Sequence, residues 1–459
     1  MGGDKGRVLP FVRREHKRRE PKRDLPTGTF ARGSRLAAVP VMYAGRRVAG
    51  FGKRAAGGDA DDITRQIRLR TAQHLFDVMG ELKGCVAKLG QLLGLLEWGL
   101  PRDLAEPYRA ALARLHDSAP PMLPGAVHAE LTKHLGPHWR SLLPQFDDRA
   151  AAAASVGQVH RGCWHDGTPV AVKIMYPGAR AAVSADLAVL RRIAPLFGVL
   201  LPAADTASVV NALCAEIGAE LDYAREAANQ RAFTAAFADD PDVVVSRVVA
   251  QYGDVLVTEW LDGIPLSHLV NQSKPAARDR VGVLVLRFLL SAPARVGLVY
   301  GDAHPGNFLL MPDGRLGIVD FGACTSWPRE FLDVASEVGA ALLTQSPHDL
   351  ESAMRRHGFV APGRALDIAS VLARLQPVRD ALLATTYPLT EKWLREQVRL
   401  VTDLRLTNVL RQLTMPAEHT AMLRSFLGGV AVLCQLHTDV PLRAECTRWY
   451  PETVAAAGL

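Results

Sequence analysis

Two short stretches decide the fold: Tyr-Gly-Asp-Ala-His-Pro-Gly-Asn at residues 300–307 and Ile-Val-Asp-Phe-Gly at residues 318–322. They carry two carboxylates and one amide, Asp302, Asn307 and Asp320, at separations of five and thirteen positions. Phosphoryl transfer needs an acid that orients or deprotonates the acceptor hydroxyl, and an amide and a second acid that hold Mg²⁺ on the nucleotide phosphates. The spacing therefore predicts a phosphoryl-transfer site, with Asp302 as the acid and Asn307 and Asp320 as metal ligands.

The residues between these polar groups predict a β-hairpin. In kinase-like folds the acid and the amide come from one catalytic loop, and the second acid comes from an Asp-Phe-Gly after the next hairpin. Residues 308–310 and 316–319 are apolar and flank a Pro-Asp-Gly turn, which is the pattern of that hairpin. The alternative is a surface Asp-Gly turn followed by an unrelated Asp-Phe-Gly, which the combined spacing disfavours.

The charge of the chain is concentrated at its amino-terminal end. The 459 residues carry a formal charge of +7, and residues 1–54 hold 15 Lys and Arg against 4 Asp and Glu. We interpret residues 1–58 as a basic, flexible arm, which is either a solvated tail or a peripheral contact with anionic lipid headgroups. The charge run at 13–23 contains no aromatic residue and no nucleic-acid-binding signature, which disfavours nucleic acid as a partner.

Length, composition and cysteine usage limit the class of protein. The chain is long enough for two or three domains, and its hydrophobic content of 48% is that of a globular protein. Its six cysteines are scattered, which indicates reduced thiols and no metal framework. Charged residues and a proline interrupt the apolar run at 281–300, so we expect a buried helix there and no membrane anchor. We expect a cytoplasmic protein without a secretory signal, and peripheral attachment at the inner membrane face stays open.

Residues 145–176 have the pattern of a nucleotide-binding hairpin. The run of alanines at 150–154 predicts a small-residue loop where a kinase has a glycine-rich one, and the strand at 169–174 contains Val-Ala-Val-Lys. The lysine of such a strand binds the α- and β-phosphates. The alternative is an alanine-rich helix of no functional meaning. The candidate nucleotide-binding residues are Ala153, Ala154, Ser155, Val156, Gly157 and Lys173.

A helix predicted over residues 211–233 supplies a carboxylate for this lysine. Asp222 and Glu226 lie four positions apart on one stripe, and buried carboxylates require partners. We therefore expect Glu226 to pair with Lys173. Glu220 lies two positions before Asp222 and faces another direction.

Two further segments complete the pattern. The strand at 255–259 runs into a glycine and predicts the hinge between two lobes, where Glu259, Trp260 and Leu261 would offer backbone groups to an adenine. Earlier in the chain, apolar residues recur at helical spacing from 61 to 100. Lys88 and Gln91 share a face of that helix, because they are three positions apart.

In this combination the chain resembles the UbiB/AarF/ADCK family of atypical kinases, from about residue 60 to residue 340. The motifs that carry the resemblance are, in order, Lys88-x-Gly90-Gln91, the alanine run, Glu220-x-Asp222, residues 302–307 and Asp320-Phe321-Gly322. The resemblance implies an α+β, bilobal protein-kinase-like fold. It divides the chain into an added helical subdomain at 59–144, a small lobe at 145–262, and a mainly helical large lobe with carboxy-terminal helices at 263–459.

The resemblance also implies an activity. In that family the helix with Lys88 and Gln91 packs over the active site, which assigns these two residues a gating role and makes Glu220 and Asp222 contacts inside the cleft. Members bind ATP or ADP with Mg²⁺ and act as ATPases or as kinases of lipids or small molecules, in isoprenoid-quinone biosynthesis or lipid homeostasis. The implied partners are an adenine nucleotide and a lipid or quinone precursor.

Two departures and two alternatives accompany this interpretation. Tyr300 stands where the family often has the histidine of His-x-Asp, which affects the packing of the loop more than its chemistry. No Ala-Pro-Glu follows Gly322, and residues 328–343 turn directly helical, so we expect no peptide-docking platform. One alternative is a nucleotide-gated regulatory protein with little catalysis. The other is an aminoglycoside-type phosphotransferase, since the catalytic loop alone fits that class too.

Overall fold

The computed structural model describes residues 122–200, 206–269, 275–402, 409, 413–414 and 416–459. The predicted basic arm and the helix with Lys88 and Gln91 lie outside the described residues. The described part is an α+β fold with two lobes, as predicted from the sequence. The first lobe is built on one antiparallel sheet, and the second is mainly helical.

The sheet of the small lobe has five antiparallel strands in the order β1-β2-β3-β6-β5. These strands are β1 Gln145–Ala154, β2 Gly157–Cys163, β3 Pro169–Met175, β5 Val248–Tyr252 and β6 Val255–Glu259. Two groups of helices cover its two faces. Helices α1 Pro124–Leu135 and α2 Trp139–Leu142 pack on one face, and α3 Ala179–Leu200, α4 Thr206–Ala219 and α5 Tyr223–Ala236 pack on the other.

Alternation along β3 decides which side chain faces which group of helices. Val170, Val172 and Ile174 are fully buried in the cluster with α1 and α2. Since successive side chains of a strand point to opposite faces, Lys173 faces α5 instead. The predicted boundary at residue 144 would assign α1 and α2 to the preceding subdomain, and in the structure they pack on the small-lobe sheet.

The alanine run does not form the expected loop, and that prediction is wrong. Ala150 to Ala154 continue β1, with Ala154 opposite Gly157 in β2, so the connection shrinks to Ser155 and Val156. The pairing of β1 with β2 shifts register twice, between Phe146 and Ala150 and between Ala150 and Ala152. Alanine is compatible with a strand as well as with a loop, and here the pairing with β2 extends β1 through the run.

The large lobe contains the predicted hairpin. Its sheet has the order β4-β10-β9-β7, in which β4 and β10 are parallel and the other pairs are antiparallel. The hairpin is confirmed, because Leu310 of β9 lies opposite Leu316 of β10. The strands of this sheet are β4 Val243–Val245, β7 Ile264–Pro265, β9 Phe308–Leu310 and β10 Leu316–Ile318.

Helices make up most of the large lobe. The other elements from Leu266 onward are α6 Leu266–Leu269, α7 Pro275–Val296, β8 Leu298–Val299, β11 Thr325–Ser326, α8 Phe331–Leu343, α9 Pro347–Arg356, α10 Ile368–Leu383, β12 Tyr387–Leu389, α11 Glu391–Thr402, α12 Ala417–Leu436, β13 Thr438–Val440, α13 Leu442–Trp449 and α14 Pro451–Ala456. The segment after Gly322 pairs briefly with β8 through β11 and then enters α8, which confirms the predicted turn to helix. In the described ranges no helix has both the length and the apolar character needed to cross a membrane.

The core of the large lobe surrounds the catalytic segments. Phe288 of α7 is fully buried and contacts Phe308, with ring centroids 6.2 Å apart. Phe233 of α5 reaches the same cluster, so α5 packs on the small-lobe sheet with one end and on the large-lobe core with the other. Residues of α5 are therefore placed between the lobes.

Candidate active site

A lysine of the small lobe meets two carboxylates at the junction of the lobes. Lys173 Nζ lies 2.7 Å from Glu226 Oε1 and 2.9 Å from Glu226 Oε2. It lies 3.4 Å from Asp320 Oδ2. The pair that the sequence predicted between Lys173 and Glu226 is present. Strand β3, helix α5 and the Asp-Phe-Gly segment thus bring one ammonium and two carboxylates to a single point.

Burial and charge act in opposite directions on these groups. Burial by itself would lower the pKa of Lys173, but the negative charges of Asp320 and Glu226 hold it well above its ordinary value. Burial raises the pKa of Glu226 to about 7, although the neighbouring Lys173 opposes the shift. The side chain of Glu226 is only 2% exposed, whereas that of Asp320 is 31% exposed. Asp320 is therefore the carboxylate of the pair that is open to a ligand.

Sequence reasoning missed one residue beside the lysine. Lys173 Nζ lies 5.2 Å from the centroid of the Tyr223 ring, in reach of a cation–π contact. Tyr223 is fully buried and precedes Glu226 by three positions on α5. That spacing puts both side chains on one helix face. The three-residue spacing to Glu226 is therefore the sequence signal that would have identified Tyr223.

Helix α5 begins beside the site. Its N-cap is Asp222, whose side chain accepts hydrogen bonds from the backbone N–H of Ala224 at 3.1 Å and of Arg225 at 3.0 Å. Asp222 is exposed and Glu220 is 9% exposed. Glu220 is near enough to Glu226 to contribute to the raised pKa of that carboxyl. Their predicted role as contacts inside the cleft beneath the helix with Lys88 and Gln91 involves residues outside the described ranges, so it stays a prediction.

The same helix holds the Asp-Phe-Gly segment through backbone carbonyls. Asn229 donates from Nδ2 to the carbonyl of Phe321 at 3.1 Å, and Arg225 donates from Nη2 to the carbonyl of Cys324 at 2.8 Å. Phe321 is fully buried, with its ring centroid 4.9 Å from that of Phe233. The segment that follows Asp320 is consequently held against α5 at Phe321 and at Cys324.

Asp320 adopts a backbone conformation that side chains rarely take. Its φ is +65°, in the left-handed region, and its Oδ1 accepts a hydrogen bond from the Gly322 N–H at 3.3 Å. Such conformations cost energy and persist where the surrounding structure imposes them, often at functional sites.

The catalytic loop is closed by its own asparagine. Asn307 donates from Nδ2 to the carbonyl of Asp302 at 3.0 Å, and its backbone N–H donates to the carbonyl of His304 at 2.9 Å. Its carbonyl in turn accepts from the N–H of Val319 at 3.1 Å, next to Asp320. The loop and the Asp-Phe-Gly segment are therefore joined by main-chain hydrogen bonds.

The donor set at this point fits a magnesium ion. Because the amide nitrogen of Asn307 is engaged with Asp302, its amide oxygen is the atom left to coordinate a cation. The second oxygen ligand would be the carboxylate of Asp320. Mg²⁺ is usually bound through one or two carboxylates together with substrate phosphates and water. Asn307 and Asp320 match that requirement.

The expected adenine contacts are only partly available. The N–H of Glu259 donates to the carbonyl of Arg247 at 2.8 Å, and the N–H of Trp260 donates to the carbonyl of Pro169 at 2.9 Å. Pro169 has no N–H to return to the Trp260 carbonyl. An adenine at this hinge would therefore have only the carbonyls of Glu259 and Trp260 and the backbone of Leu261 as partners.

The hairpin tip is more closed than the sequence suggested. Val156 is 5% exposed and packs into the core of the small lobe, and its carbonyl accepts from the N–H of Tyr176 at 2.9 Å. A Cβ on Gly157 would lie 2.2 Å from the carbonyl oxygen of Ile174, so this position requires glycine. Ser155 is half-buried and Ala153 is exposed, while Ala154 is half-buried in the strand.

The curated relatives include proteins named as atypical kinases. The chain is 26% identical over 336 residues to the mitochondrial atypical kinase COQ8B of Danio rerio, an alignment that covers 71% of this chain and 53% of that protein. It is 29% identical over 265 residues to the chloroplastic protein ACTIVITY OF BC1 COMPLEX KINASE 3 of Arabidopsis thaliana, covering 54% of this chain and 36% of that protein. The chain therefore spans about half the length, or less, of these relatives.

A solved structure and a family model extend the comparison. The structure of the Rv3197–erythromycin complex from Mycobacterium tuberculosis matches with a TM-score of 0.63 and 36% identity, over 86% of this chain and all of that one. The model of the ABC1 atypical kinase-like domain matches residues 114–351. This range includes Lys173, Glu226, Asp302, Asn307 and Asp320. The chain belongs to the ABC1 atypical kinase-like family, the group of the UbiB and ADCK proteins.

Proposed function

We propose that this protein is a Mg²⁺-dependent, ATP-binding atypical kinase or ATPase. The observation that carries the proposal is the convergence on Lys173, whose Nζ lies 2.7 Å from Glu226 and 3.4 Å from Asp320. A buried ammonium held by one enclosed carboxylate and facing a second, more open one is the arrangement that phosphoryl transfer uses. Membership of the ABC1 family supports the same reaction class.

Each residue has a role in this proposal. Lys173, oriented by Glu226, binds the α- and β-phosphates of ATP or ADP. Asp302 accepts the hydrogen bond of an acceptor hydroxyl or of a water molecule, and it lies on a loop that Asn307 holds closed. Asn307 and Asp320 would hold Mg²⁺, which neutralises phosphate charge when bound.

We propose a lipid or an isoprenoid-quinone precursor as the client. The names of the curated relatives include COQ8 proteins, and the family resemblance implies such a pathway. The segment after Gly322 supports a non-peptide acceptor, because it pairs with β8 and enters α8 without a long intervening loop. The basic arm at residues 1–58 would supply a peripheral contact with an anionic membrane surface.

A second candidate is a phosphotransferase or binding protein for an antibiotic. One observation favours it: the solved relative with 36% identity is a complex with erythromycin. Transfer of phosphate to such a ligand would use the same Asp302, Asn307 and Asp320. As a phosphotransferase, the second candidate would differ from the first only in the acceptor.

Nucleotide binding and turnover test the proposal directly. We would titrate the full-length protein with Mg-ATP and Mg-ADP by calorimetry and measure phosphate release with and without anionic liposomes, a phenolic quinone precursor and erythromycin. Asp320→Asn should abolish Mg-dependent binding or turnover. Its matched control is Asp313→Asn, because Asp313 lies in an exposed turn where it accepts from Arg315 at 2.8 Å.

The outcomes separate the candidates. A wild-type protein that binds no Mg-nucleotide contradicts the proposal, and so does an Asp320→Asn variant with wild-type turnover. Binding without turnover under every condition identifies a nucleotide-gated regulatory protein instead. Phosphate transfer to erythromycin alone selects the second candidate.

A further inference from the structure

Tyr300 connects the catalytic loop to the segment that carries Asp320. Its ring is 1% exposed and lies among Phe288, Phe308 and Phe321, with centroids at 5.3, 5.8 and 5.5 Å. Its hydroxyl donates to the carbonyl of Val319 at 2.7 Å. Val319 immediately precedes Asp320, and Tyr300 lies two positions before Asp302. One buried side chain therefore spans the two acidic positions of the site.

Helix α12 holds the other side of Tyr300. Ser425 is 2% exposed and donates from Oγ to the backbone carbonyl of Tyr300, although 125 positions separate the two residues. Three residues later, a Cβ on Gly428 would lie 3.2 Å from the carbonyl oxygen of Ala303. The helix thus contacts the catalytic loop on both sides of Asp302.

Helix α12 is itself tightly seated. A Cβ on Gly429 would lie 2.4 Å from Leu289 Cδ1 of α7, so the two helices approach closely here. Val432 and Cys434 of α12 are buried in the core of the large lobe. A helix that is fixed in this way can hold a loop in one position.

We propose that Tyr300 and Ser425 are positioning residues, through which helix α12 sets the placement of Asp302 relative to Asp320. The inference rests on the proposed function, because it adds residues to the same site. The Tyr300 hydroxyl donates to the main-chain carbonyl of Val319, next to Asp320, and the Ser425 hydroxyl donates to the main-chain carbonyl of Tyr300, near Asp302. These two hydrogen bonds carry the inference. We expect Tyr300 and Ser425 to affect the reaction rate by fixing the positions of Asp302 and Asp320, because small displacements of reacting groups lower the rate by large factors.

Each variant removes one hydroxyl group and keeps the packing. Tyr300→Phe retains the buried ring, and Ser425→Ala removes a single oxygen. The chain offers a matched control for both. Tyr450 donates from its hydroxyl to the Leu290 carbonyl at 2.7 Å, and Ser291, which is 1% exposed, donates to the Phe288 carbonyl at 3.2 Å. Tyr450→Phe and Ser291→Ala therefore make the same chemical changes elsewhere in the large lobe.

Steady-state kinetics with Mg-ATP give the first readout. We expect Tyr300→Phe and Ser425→Ala each to lower kcat by about tenfold or more, with KM for the nucleotide changed by less than about threefold. Tyr300→Phe should also raise the Mg²⁺ concentration needed for half-maximal turnover. The double variant should lose less than the product of the single losses, because both bonds act on one segment. Tyr450→Phe and Ser291→Ala should stay within about twofold of wild type.

Hydrogen exchange of the nucleotide-free protein gives a readout that does not depend on activity. Peptides that cover residues 300–307 and 316–324 should exchange faster in Tyr300→Phe and Ser425→Ala than in the two controls. Gly428→Ala adds a methyl group against Ala303 and offers a second route to the same effect. Gly339→Ala is its control, because a Cβ there would meet Ala457 Cβ at 3.3 Å, away from the loop.

The outcomes distinguish this inference from the proposed function. If wild type turns over nucleotide while the Tyr300 and Ser425 variants match their controls in kcat and in exchange, the positioning role is wrong. If wild type neither binds nor turns over Mg-nucleotide, the proposed function fails. In that case hydrogen exchange of the peptides at 300–307 and 316–324 is the remaining test of whether α12 holds these two segments in place. Exchange rates in Tyr300→Phe and Ser425→Ala equal to those of their controls would overturn the inference.

Discussion

Lys173 Nζ and Asp320 Oδ2 lie 3.4 Å apart, although 147 positions separate the two residues in the chain. The first belongs to the small-lobe sheet, and the second belongs to the turn after the large-lobe hairpin. Glu226 lies against the same ammonium from helix α5, at 2.7 Å. Contacts of this kind form only when both lobes are folded and packed against each other, so the geometry of the site depends on the whole fold.

The first prediction concerns the carboxylate that holds the lysine. Glu226→Gln removes the buried negative charge at 2.7 Å from Lys173 and leaves Asp320 as the nearest anion. The ammonium should then turn toward Asp320 and bind phosphate less well, so we expect Mg-ADP affinity to fall by about tenfold or more. Calorimetry measures the change.

The matched control is Glu391→Gln, which breaks an exposed helical pair with Arg395 at 2.6 Å. Surface pairs of this kind contribute little, so nucleotide affinity should not change. Equal affinities for wild type and Glu226→Gln would show that Lys173 needs no partner.

The second prediction concerns the close approach of β2 and β3. A methyl group on Gly157 would meet the carbonyl oxygen of Ile174 at 2.2 Å and has no flexible side chain to displace. The two strands must separate next to Lys173, so we expect Gly157→Ala to lower the free energy of unfolding by about 1–3 kcal/mol. Chemical denaturation measures the loss.

Gly125→Ala serves as the comparison for this substitution. No atom lies within 4 Å of a Cβ at Gly125, which is in the first turn of α1. Alanine there should leave the stability unchanged or raise it, because it restricts the unfolded chain. If Gly157→Ala were as stable as Gly125→Ala, β2 and β3 could not approach each other this closely at Gly157.

The third prediction concerns an arginine that joins three parts of the large lobe. Arg287 of α7 donates from Nη2 to Glu445 Oε1 at 2.7 Å and from Nε to the same oxygen at 3.1 Å, and Nη1 donates to Asp242. The hydrogen bonds that Glu445 and Asp242 accept from Arg287 raise the pKa of its guanidinium above the ordinary value, so Arg287 stays charged. Lysine cannot reproduce this forked geometry.

We expect Arg287→Lys to lower the free energy of unfolding by about 2 kcal/mol, because Glu445 is 5% exposed and would lose its partner. Arg395→Lys changes an exposed pair and should cost less than about 0.5 kcal/mol. Thermal and urea denaturation compare the two variants. Similar losses of unfolding free energy in Arg287→Lys and Arg395→Lys would show that the buried pair stabilises the protein no more than the exposed pair does.

The fourth prediction concerns thiol reactivity. Burial, assisted by the charge of Asp320, raises the pKa of the Cys324 thiol, and burial raises that of Cys434 to about 12. Both thiols should stay protonated at pH 8 and react slowly with iodoacetamide in the native protein. Cys163 is half-buried and should be labelled first of the three. Mass spectrometry follows the labelling, and rapid modification of Cys324 in the folded protein would contradict its burial.

The local arrangement around the candidate site was predictable from the sequence, whereas the chemical roles of its residues stay predictions. Asp302, Asn307 and Asp320 follow from the needs of a phosphate–metal site, and the hairpin between them follows from period-two patterning and a Pro-Asp-Gly turn. The pairing of Lys173 with Glu226 followed from a different rule, the cost of an unpaired buried carboxylate. Neither inference needed long-range information.

The rest depended on packing that the sequence does not display. Alanine runs are compatible with loop, strand or helix, and the pairing of β1 with β2 decided for strand. The contacts of Ser425 with Tyr300 and of Glu445 with Arg287 join residues 125 and 158 positions apart. They exist because α12 and α13 pack on α7 and on the catalytic loop, and local patterns carry no sign of that arrangement.

We propose that Lys173, Asn307 and Asp320 meet at one metal-bound nucleotide. The most direct measurement is a crystal structure of the full chain grown with Mn²⁺ and a non-hydrolysable ATP analogue, with anomalous scattering used to locate the metal. We predict an anomalous peak in contact with Asn307 and Asp320, with Lys173 Nζ on the α- and β-phosphate oxygens. A nucleotide bound elsewhere, or a metal that touches neither Asn307 nor Asp320, would contradict it.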